Sequence, residues 1–381
     1  MSILIQARAF LETSQPEKAL DLLSNEINDI KNQSDVAFLS IFGETLLEVN
    51  QLEQAYQVLY KACELDQNAD YGVEKFLYLG QIIGGNDGLN YINIALNKLN
   101  EKLDKYKQNG MIEDQDQFSN GEEYEQWIIN KLNQGIFAEI EIWMTDLCME
   151  DNAESKCNEL IQISLNLDNT NPETYSLLSS IKISQQLKNE ASEALNKSWE
   201  LFQAKKQKLE EKNEDNKGDD SYEKSMEYIE LIQPLLTLSK FAIELELYDL
   251  SISIISQIYD INDQILDCYY VEILSNLLKA KRIINGNNEG DFKEILNEEI
   301  LKHKENAEVG NLIDEIKTSL THAYKIINSG LSEDFDPEVI DTLNDLLNVF
   351  GGPIMSELMP KREKDDEDDE NWEDEIDYEE N

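Results

Sequence analysis

Apolar residues along this chain recur at three- and four-residue intervals, in runs broken by short polar stretches, which is the spacing of amphipathic helices rather than strands. The clearest stretch is residues 36–69, VAFLSIFGETLLEVNQLEQAYQVLYKACELDQNA. Leu39, Phe42 and Leu46 line one helical face, and Ala55, Leu59 and Ala62 line a second. Gly43 and Ala55 are small where two helices of a hairpin must cross closely, and the large residues around them fill the groove against the next hairpin. Two prolines mark helix starts: Asn171-Pro172-Glu173 and Asp336-Pro337-Glu338 each place Pro in a first turn behind a capping side chain.

The 34-residue segment 36–69 resembles a tetratricopeptide repeat, with Leu39, Phe42, Gly43 and Leu46 at first-helix positions 4, 7, 8 and 11 and Ala55, Leu59 and Ala62 at second-helix positions 20, 24 and 27. The phase recurs. Residues 172–205 place Tyr175, Leu178, Ser179, Ala191, Leu195 and Ser198 there, and residues 232–265 place Leu235, Leu238, Ser239, Ala242, Ser251, Ile255 and Ile258. Residues 138–171 put Met144, Thr145 and Cys148 on the first helix and Cys157, Ile161 and Ser164 on the second. An N-terminal unit uses Ile3, Ala7, Phe10, Ala19 and Leu23. In residues 73–106, Phe76, Leu79, Gly80 and Ile83 fit the first helix, while the second is expected one residue out of phase, on Tyr91 and Ala95. Beyond 266, LDCYYVEILSNLLKAKRII is expected to open a seventh hairpin closed by FKEILNEEILKHKE, followed by two capping helices, IDEIKTSLTHAYKII and VIDTLNDLLNVF.

The expected fold is therefore all-α: a tetratricopeptide-repeat right-handed superhelix, an α-solenoid, with C-terminal capping helices and a disordered acidic tail. The expected divisions are N-terminal hairpins at 1–106, an insertion and helical lead-in at 107–137, central hairpins at 138–205, a polar loop and helix start at 206–231, C-terminal hairpins and caps at 232–350, and the tail at 351–381.

Charge narrows the function. Among 381 residues, 79 acids against 32 bases give a net charge of −47. Residues 361–381 carry −10 of this, so the first 360 residues still hold −37. Such a field repels phosphate, which disfavours direct nucleic-acid or anionic-membrane binding and favours a basic protein partner. Four cysteines without a CxxC pair fit a reducing compartment better than a disulfide framework. The N-terminal stretch lacks the basic flank of a signal peptide, and no run of 18 apolar residues predicts a membrane span.

Motifs of catalysis and metal binding are lacking, so no enzyme activity, metal or cofactor is expected. Gly84-Gly85-Asn86-Asp87-Gly88 reads as a turn inside a repeat rather than a phosphate loop. Asp114-Gln115-Asp116 opens like a calcium loop, but Phe118 and Ser119 break it. Cys148 and Cys157 read as packing residues, and His303 and His322 stand alone.

Tetratricopeptide arrays hold extended peptides on the concave face built by their first helices, where repeat positions 2, 5, 6, 9, 12 and 13 point. Here those positions bring in Ile41, Glu44 and Glu48, then Glu74, Tyr78 and Gln81, then Glu139, Trp143, Asp146 and Glu150, then Glu173, and finally Glu244. Acids with an aromatic or aliphatic residue at each step suit a basic peptide with apolar anchors; the alternative is a merely solvated acidic face. Glu44 with Glu48, and Asp146 with Glu150, are expected to pair as acidic steps one helical turn apart. Arrays that clamp a C-terminal carboxylate use Lys, Asn and Arg where this chain has Leu4, Arg8, Ile41, Glu74 and Tyr78, which excludes that mode.

Residues 138–186 are more specific. Their sub-motifs EIWMTDLCME, AESKC, NPE and ISQQ, with repeats on both sides and an acidic tail, resemble the dedicated assembly chaperones of the fourth large-subunit ribosomal protein. The resemblance implies a non-enzymatic chaperone, in cytoplasm and nucleus, that shields a basic extended loop of that ribosomal protein, enters the nucleus on its client's own import signal and delivers it for 60S assembly. A tetratricopeptide scaffold bridging subunits of a nuclear complex is the other reading the residues allow.

Overall fold

A computed structural model of the chain describes residues 3–29, 31–113, 118, 120–215, 227–286, 295–329 and 335–358, with side chains from 212 to 215 excepted. All regular structure among these residues is helical. The acidic stretch 361–381 with Trp372, most of the polar segment 212–226, and residues 114–117 and 119 of the insertion lie outside them. The chain divides into two compact units, residues 1–210 and 211–381.

The first unit is a series of helical hairpins: α1 (Ile3–Glu12) with α2 (Pro16–Ser24), α3 (Val36–Glu48) with α4 (Leu52–Leu65), α5 (Glu74–Ile83) with α6 (Gly85–Asn109), and α7 (Gly121–Met144) with α8 (Ala153–Leu167). α9 (Pro172–Ser184) and α10 (Lys188–Asp215) follow. First helices also touch in sequence, α1 to α3, α3 to α5, α5 to α7 and α7 to α9. That stacking makes a tetratricopeptide solenoid, because each hairpin buries its apolar face only against its neighbours.

The small residues act as expected. A methyl group on Gly43 would lie 2.5 Å from the Leu59 side chain, so α3 and α4 pack at a distance that admits a larger residue only if Leu59 moves. In the 172–205 repeat Ser179 Oγ donates to the Ala191 carbonyl at 2.9 Å, joining repeat positions 8 and 20. Both proline starts form as read: the Asn171 and Asp336 side chains accept from the Glu173 and Glu338 N–H, each at 2.9 Å, with Pro in the first turn.

Two registers differ from expectation. Only Gly84 separates α5 from α6, so Gly88, Ile92 and Ala95 take the roles of Ala55, Leu59 and Ala62. The expected one-residue slip onto Tyr91 is instead a shortened turn, with Gly88 packed against the Gly80 carbonyl. In the next hairpin α7 begins at Gly121 and ends at Met144, capped at its start by Asn120. Thr145 and Cys148 consequently lie beyond the helix and are exposed rather than packed, while Cys157 is buried on α8 as expected.

In the second unit α11 (Ile232–Glu244) and α12 (Tyr248–Tyr259) form a hairpin whose Leu235, Leu238, Ser239, Ala242, Ser251, Ile255 and Ile258 are all buried. α13 (Leu266–Ile284) then packs mainly on α14 (Ala307–Ile327), with α15 (Pro337–Phe350) closing the same core of Tyr269, Ile273, Leu277, Ile313, Ile316, Leu320, Leu347 and Phe350. The segment expected to close this hairpin supplies, among the described residues, one helical turn, Asn297–Ile300, and one 3-10 turn, Leu301–His303. The supposed capping helix is the true partner, because the Asn306 side chain caps a fresh helix, accepting from Glu308 N–H at 3.0 Å, and the long apolar face starts at Val309.

Candidate functional site

The first helices of the first unit enclose a groove of about 820 Å³ lined by Arg8, Ile41, Glu44, Glu74, Tyr78 and Lys131, with Phe118 and Trp127 further along. A smaller hollow continues it along α5 and α7 past Gln81, Gln134 and Glu141.

Its wall is fixed by the α4–α5 connection. Asp66 ends α4, and its two carboxylate oxygens accept from the Asp70 and Tyr71 N–H, each at 2.9 Å. Lys75 Nζ lies 2.7 Å from the same carboxylate and donates to the Tyr71 and Gly72 carbonyls. Lys75 is 1% exposed, so this ion pair is acceptable only because its hydrogen bonds are met. Burial pushes the Asp66 carboxyl up, but Lys75 and the two N–H donors outweigh it and hold the group below its ordinary range.

The groove charges are matched within the chain. Arg8 Nη1 reaches both Glu44 oxygens at 2.9 Å. Glu74 accepts from the Val73 N–H at 3.0 Å and lies 3.7 Å from Lys131. Lys102 Nζ stands 5.8 Å over the Trp127 ring and 3.6 Å from Glu113. Burial pushes the Glu44 carboxyl up against the pull of Arg8. Burial, then the carboxylates of Glu44 and Glu74, push the Tyr78 phenol far up, so it stays a neutral donor. An aromatic group of Tyr106, Phe118, Tyr124 and Trp127, with ring centroids 5.0–6.3 Å apart, braces the far side and ties Phe118 of the insertion to α6 and α7.

Known proteins match a large part of the chain. A Schizosaccharomyces pombe protein described as "Probable assembly chaperone of rpl4" is 26% identical over 298 residues, spanning 77% of this chain and 79% of its own length. An Emericella nidulans protein of the same description is 27% identical over 210 residues, 52% of this chain and 49% of its own. Residues 264–371 match the family model of the ACL4 C-terminal domain. The chain resembles the assembly chaperones of rpl4. A solved structure described as "Assembly Chaperone of RpL4 (Acl4) (Residues 1-338)" superposes with a TM-score of 0.56 at 21% identity, covering 75% of this chain and 99% of that one, which shows a shared fold. The ACL4 C-terminal match opens two residues before α13 and takes in α14 and α15, the segment where repeat phasing fails.

The residues picked from repeat phase do not share one surface. Ile41, Glu44 and Tyr78 come together in the groove, with Glu48 exposed one turn further along α3. Trp143 is half-buried at the end of α7. Glu139 is 5% exposed on the packed side of α7, with Oε1 unpartnered, so it faces the interior instead of a ligand. Burial, eased only by the charge of Lys156, pushes its carboxyl up to about 7. Asp146 and Glu150 are not a helical step: both sit in the 145–152 connection, where Asp146 accepts from the Gly85 N–H at 2.8 Å and caps α6. Glu173 lies in the first turn of α9, and Glu244 is the exposed last residue of α11 in the second unit.

Repeat phasing set Arg8 at a clamp position without pairing it to Glu44, and it missed Lys131, the base beside Glu74. Lys131 lies outside the 138–171 repeat because α7 begins at Gly121, well before that frame opens. The signal was present: Asn120 as a cap with acids behind it, and Tyr124, Ile128, Leu132 and Ile136 at four-residue spacing.

Proposed function

We propose that this chain is a non-enzymatic chaperone of rpl4, the fourth large-subunit ribosomal protein, and that it holds a basic extended segment of that client in the groove of its first unit. The observation that carries the reading is the similarity to the S. pombe chaperone across 77% of this chain. The net charge of −47 supports it, since a strongly negative body speeds capture of a basic chain and competes with RNA for it. The groove supplies aromatic anchors in Tyr78 and Trp127. Its carboxylates are engaged by Arg8 and Lys131, so binding exchanges internal ion pairs for intermolecular ones rather than filling an open acidic trough. Shielding of this kind keeps the client from nucleic acid and proteases until it joins the 60S particle. It places the protein in cytoplasm and nucleus, with import on the client's own signal.

The test is retention of purified rpl4 by the immobilised full chain, with Glu44, Glu48 and Glu74 changed together to Lys in a parallel sample. We expect capture by the wild type, steep weakening with salt, and loss in the triple variant at an unchanged circular dichroism spectrum. Failure of the wild type to retain rpl4 at low ionic strength would refute the chaperone assignment. Undiminished retention by the folded triple variant would move the site off this groove.

A further inference from the structure

We propose that Glu44 is a guanidinium-recognition site, filled by Arg8 of the same chain until an arginine of the bound segment takes its place. The inference rests on the groove being where the client lies, and it adds what that step selects and what holds it closed.

The two partners are unequal. The Glu44 side chain is 17% exposed and the Arg8 side chain 43%. The acid is thus built into the wall of α3, between Ile41 and the α5 residues Glu74 and Tyr78. The base reaches it from α1, on the more open side. A carboxylate so enclosed has lost much of its hydration and needs a cation; burial already pushes it toward its neutral form, and Arg8 opposes that. Any other cation entering the groove meets Arg8 first and is repelled by it while the pair is closed. The site becomes available only when Arg8 turns outward, where its stem and charge are readily hydrated.

An arginine is the replacement this setting favours. One guanidinium nitrogen already contacts both carboxylate oxygens at 2.9 Å. A guanidinium sheds water more easily than an ammonium and offers its donors in a fixed plane. Exchange of one for the other leaves the enclosed carboxylate paired both before and after binding, so neither end state holds a bare buried charge. Lysine can supply the charge but not the planar set of donors. The Arg8–Glu44 pair therefore holds the empty groove neutral, and raises the affinity threshold for basic chains that lack an arginine at this step.

The experiment uses the full chain as wild type, Arg8→Ala, Arg8→Lys, Glu44→Gln and the Arg8→Ala/Glu44→Gln double variant. The probes are fluorescent twelve-residue Arg-Gly and Lys-Gly repeat peptides, with purified rpl4 alongside. Arg8→Ala is expected to bind the Arg-Gly peptide about three- to tenfold tighter than wild type, the size of a freed, partly buried ion pair. The gain should be smaller for Lys-Gly and should vanish in the double variant, where no carboxylate remains to be claimed. Arg8→Lys, which keeps a competing charge but not the planar donors, should fall between wild type and Arg8→Ala and guards against a folding artefact in Arg8→Ala. Equal or weaker binding of both peptides by a normally melting Arg8→Ala protein overturns the proposal. If rpl4 binding still falls on charge reversal at Glu44, Glu48 and Glu74, that outcome leaves the groove assignment standing; if charge reversal also has no effect, the groove assignment fails with it.

Discussion

Three residues separate α3 from α4, a single glycine separates α5 from α6, and eight residues separate α7 from α8. The first two hairpins reach the same packing by different means. In the first, Gly43 faces the Leu59 side chain, and a Cβ there would meet only methyl and methine carbons at 2.5–3.5 Å. In the second, Gly80 faces Ile92 and also Gly88, so that two backbones touch. The crossing residues keep their places in the second helix, since Gly88 and Ile92 are the fourth and eighth residues of α6 as Ala55 and Leu59 are of α4, but where α4 has alanine α6 has a second glycine. Hairpin register is thus set by which residues allow the closest approach, and the length of the turn follows from that.

Replacing the two glycines separates these cases. Gly88→Ala would drive its methyl into the Gly80 carbonyl, and backbone cannot move aside as a rotamer can. It should cost about 3 kcal/mol net of the roughly 1 kcal/mol that alanine gains in a helix. Gly43→Ala asks only that Leu59 shift, and should cost about 1 kcal/mol or less. Urea denaturation of both variants measures the gap. Equal losses would mean that α5 and α6 do not touch through their backbones.

The same contrast explains what the sequence disclosed. Regular repeats were legible because Ala55, Leu59 and Ala62, or Ala191, Leu195 and Ser198, keep fixed distances from their first helices, and all of them are buried. Where a turn changed length, periodicity still found the helices but misplaced their partners: Gly88 reads as turn residue and packs as core, and Asp146 reads as ligand contact and acts as a cap. The groove was half legible. Phase put Ile41, Glu44 and Tyr78 on one surface, but no spacing rule pairs Arg8 with Glu44, which lie 36 residues apart, because that contact depends on how consecutive hairpins stack.

The third hairpin of the comparison, α7 with α8, carries an acid of a different kind. Glu44 sits at a wall with a cation in contact, whereas Glu139 is buried with one oxygen unpartnered. Its folded-state carboxyl is pushed up to about 7 from an ordinary 4.5. The folded chain therefore holds this proton more tightly than the unfolded chain does. Stability from this group is greatest below the ordinary range, falls as pH rises through 7, and levels off above. Glu139→Gln should remove that slope and make the protein more stable than wild type at pH 8, by about 1–3 kcal/mol. Thermal melts at several pH values check this. A variant less stable than wild type at pH 8 would show that the charged form has a partner.

The long α7–α8 connection gives the smallest and sharpest contrast. Asp146 and Glu150 share that loop, and both are exposed. Only Asp146 reaches across, accepting the Gly85 N–H at 2.8 Å, one of the backbone donors that α6 leaves unpaired in its first turn. Its charge also lies at the positive end of a 25-residue helix. It does for α6 what a capping residue does, but from the neighbouring hairpin, because Gly84 precedes α6 and has no side chain to offer. Asp146→Ala should therefore cost about 1 kcal/mol, the usual loss for a cap, and speed hydrogen exchange at the start of α6. Glu150→Ala should change stability by less than about 0.5 kcal/mol, as exposed positions without a partner do. If the two variants were equally stable, the Asp146 contact would contribute nothing, and the α5–α6 turn would be held by its glycine packing alone.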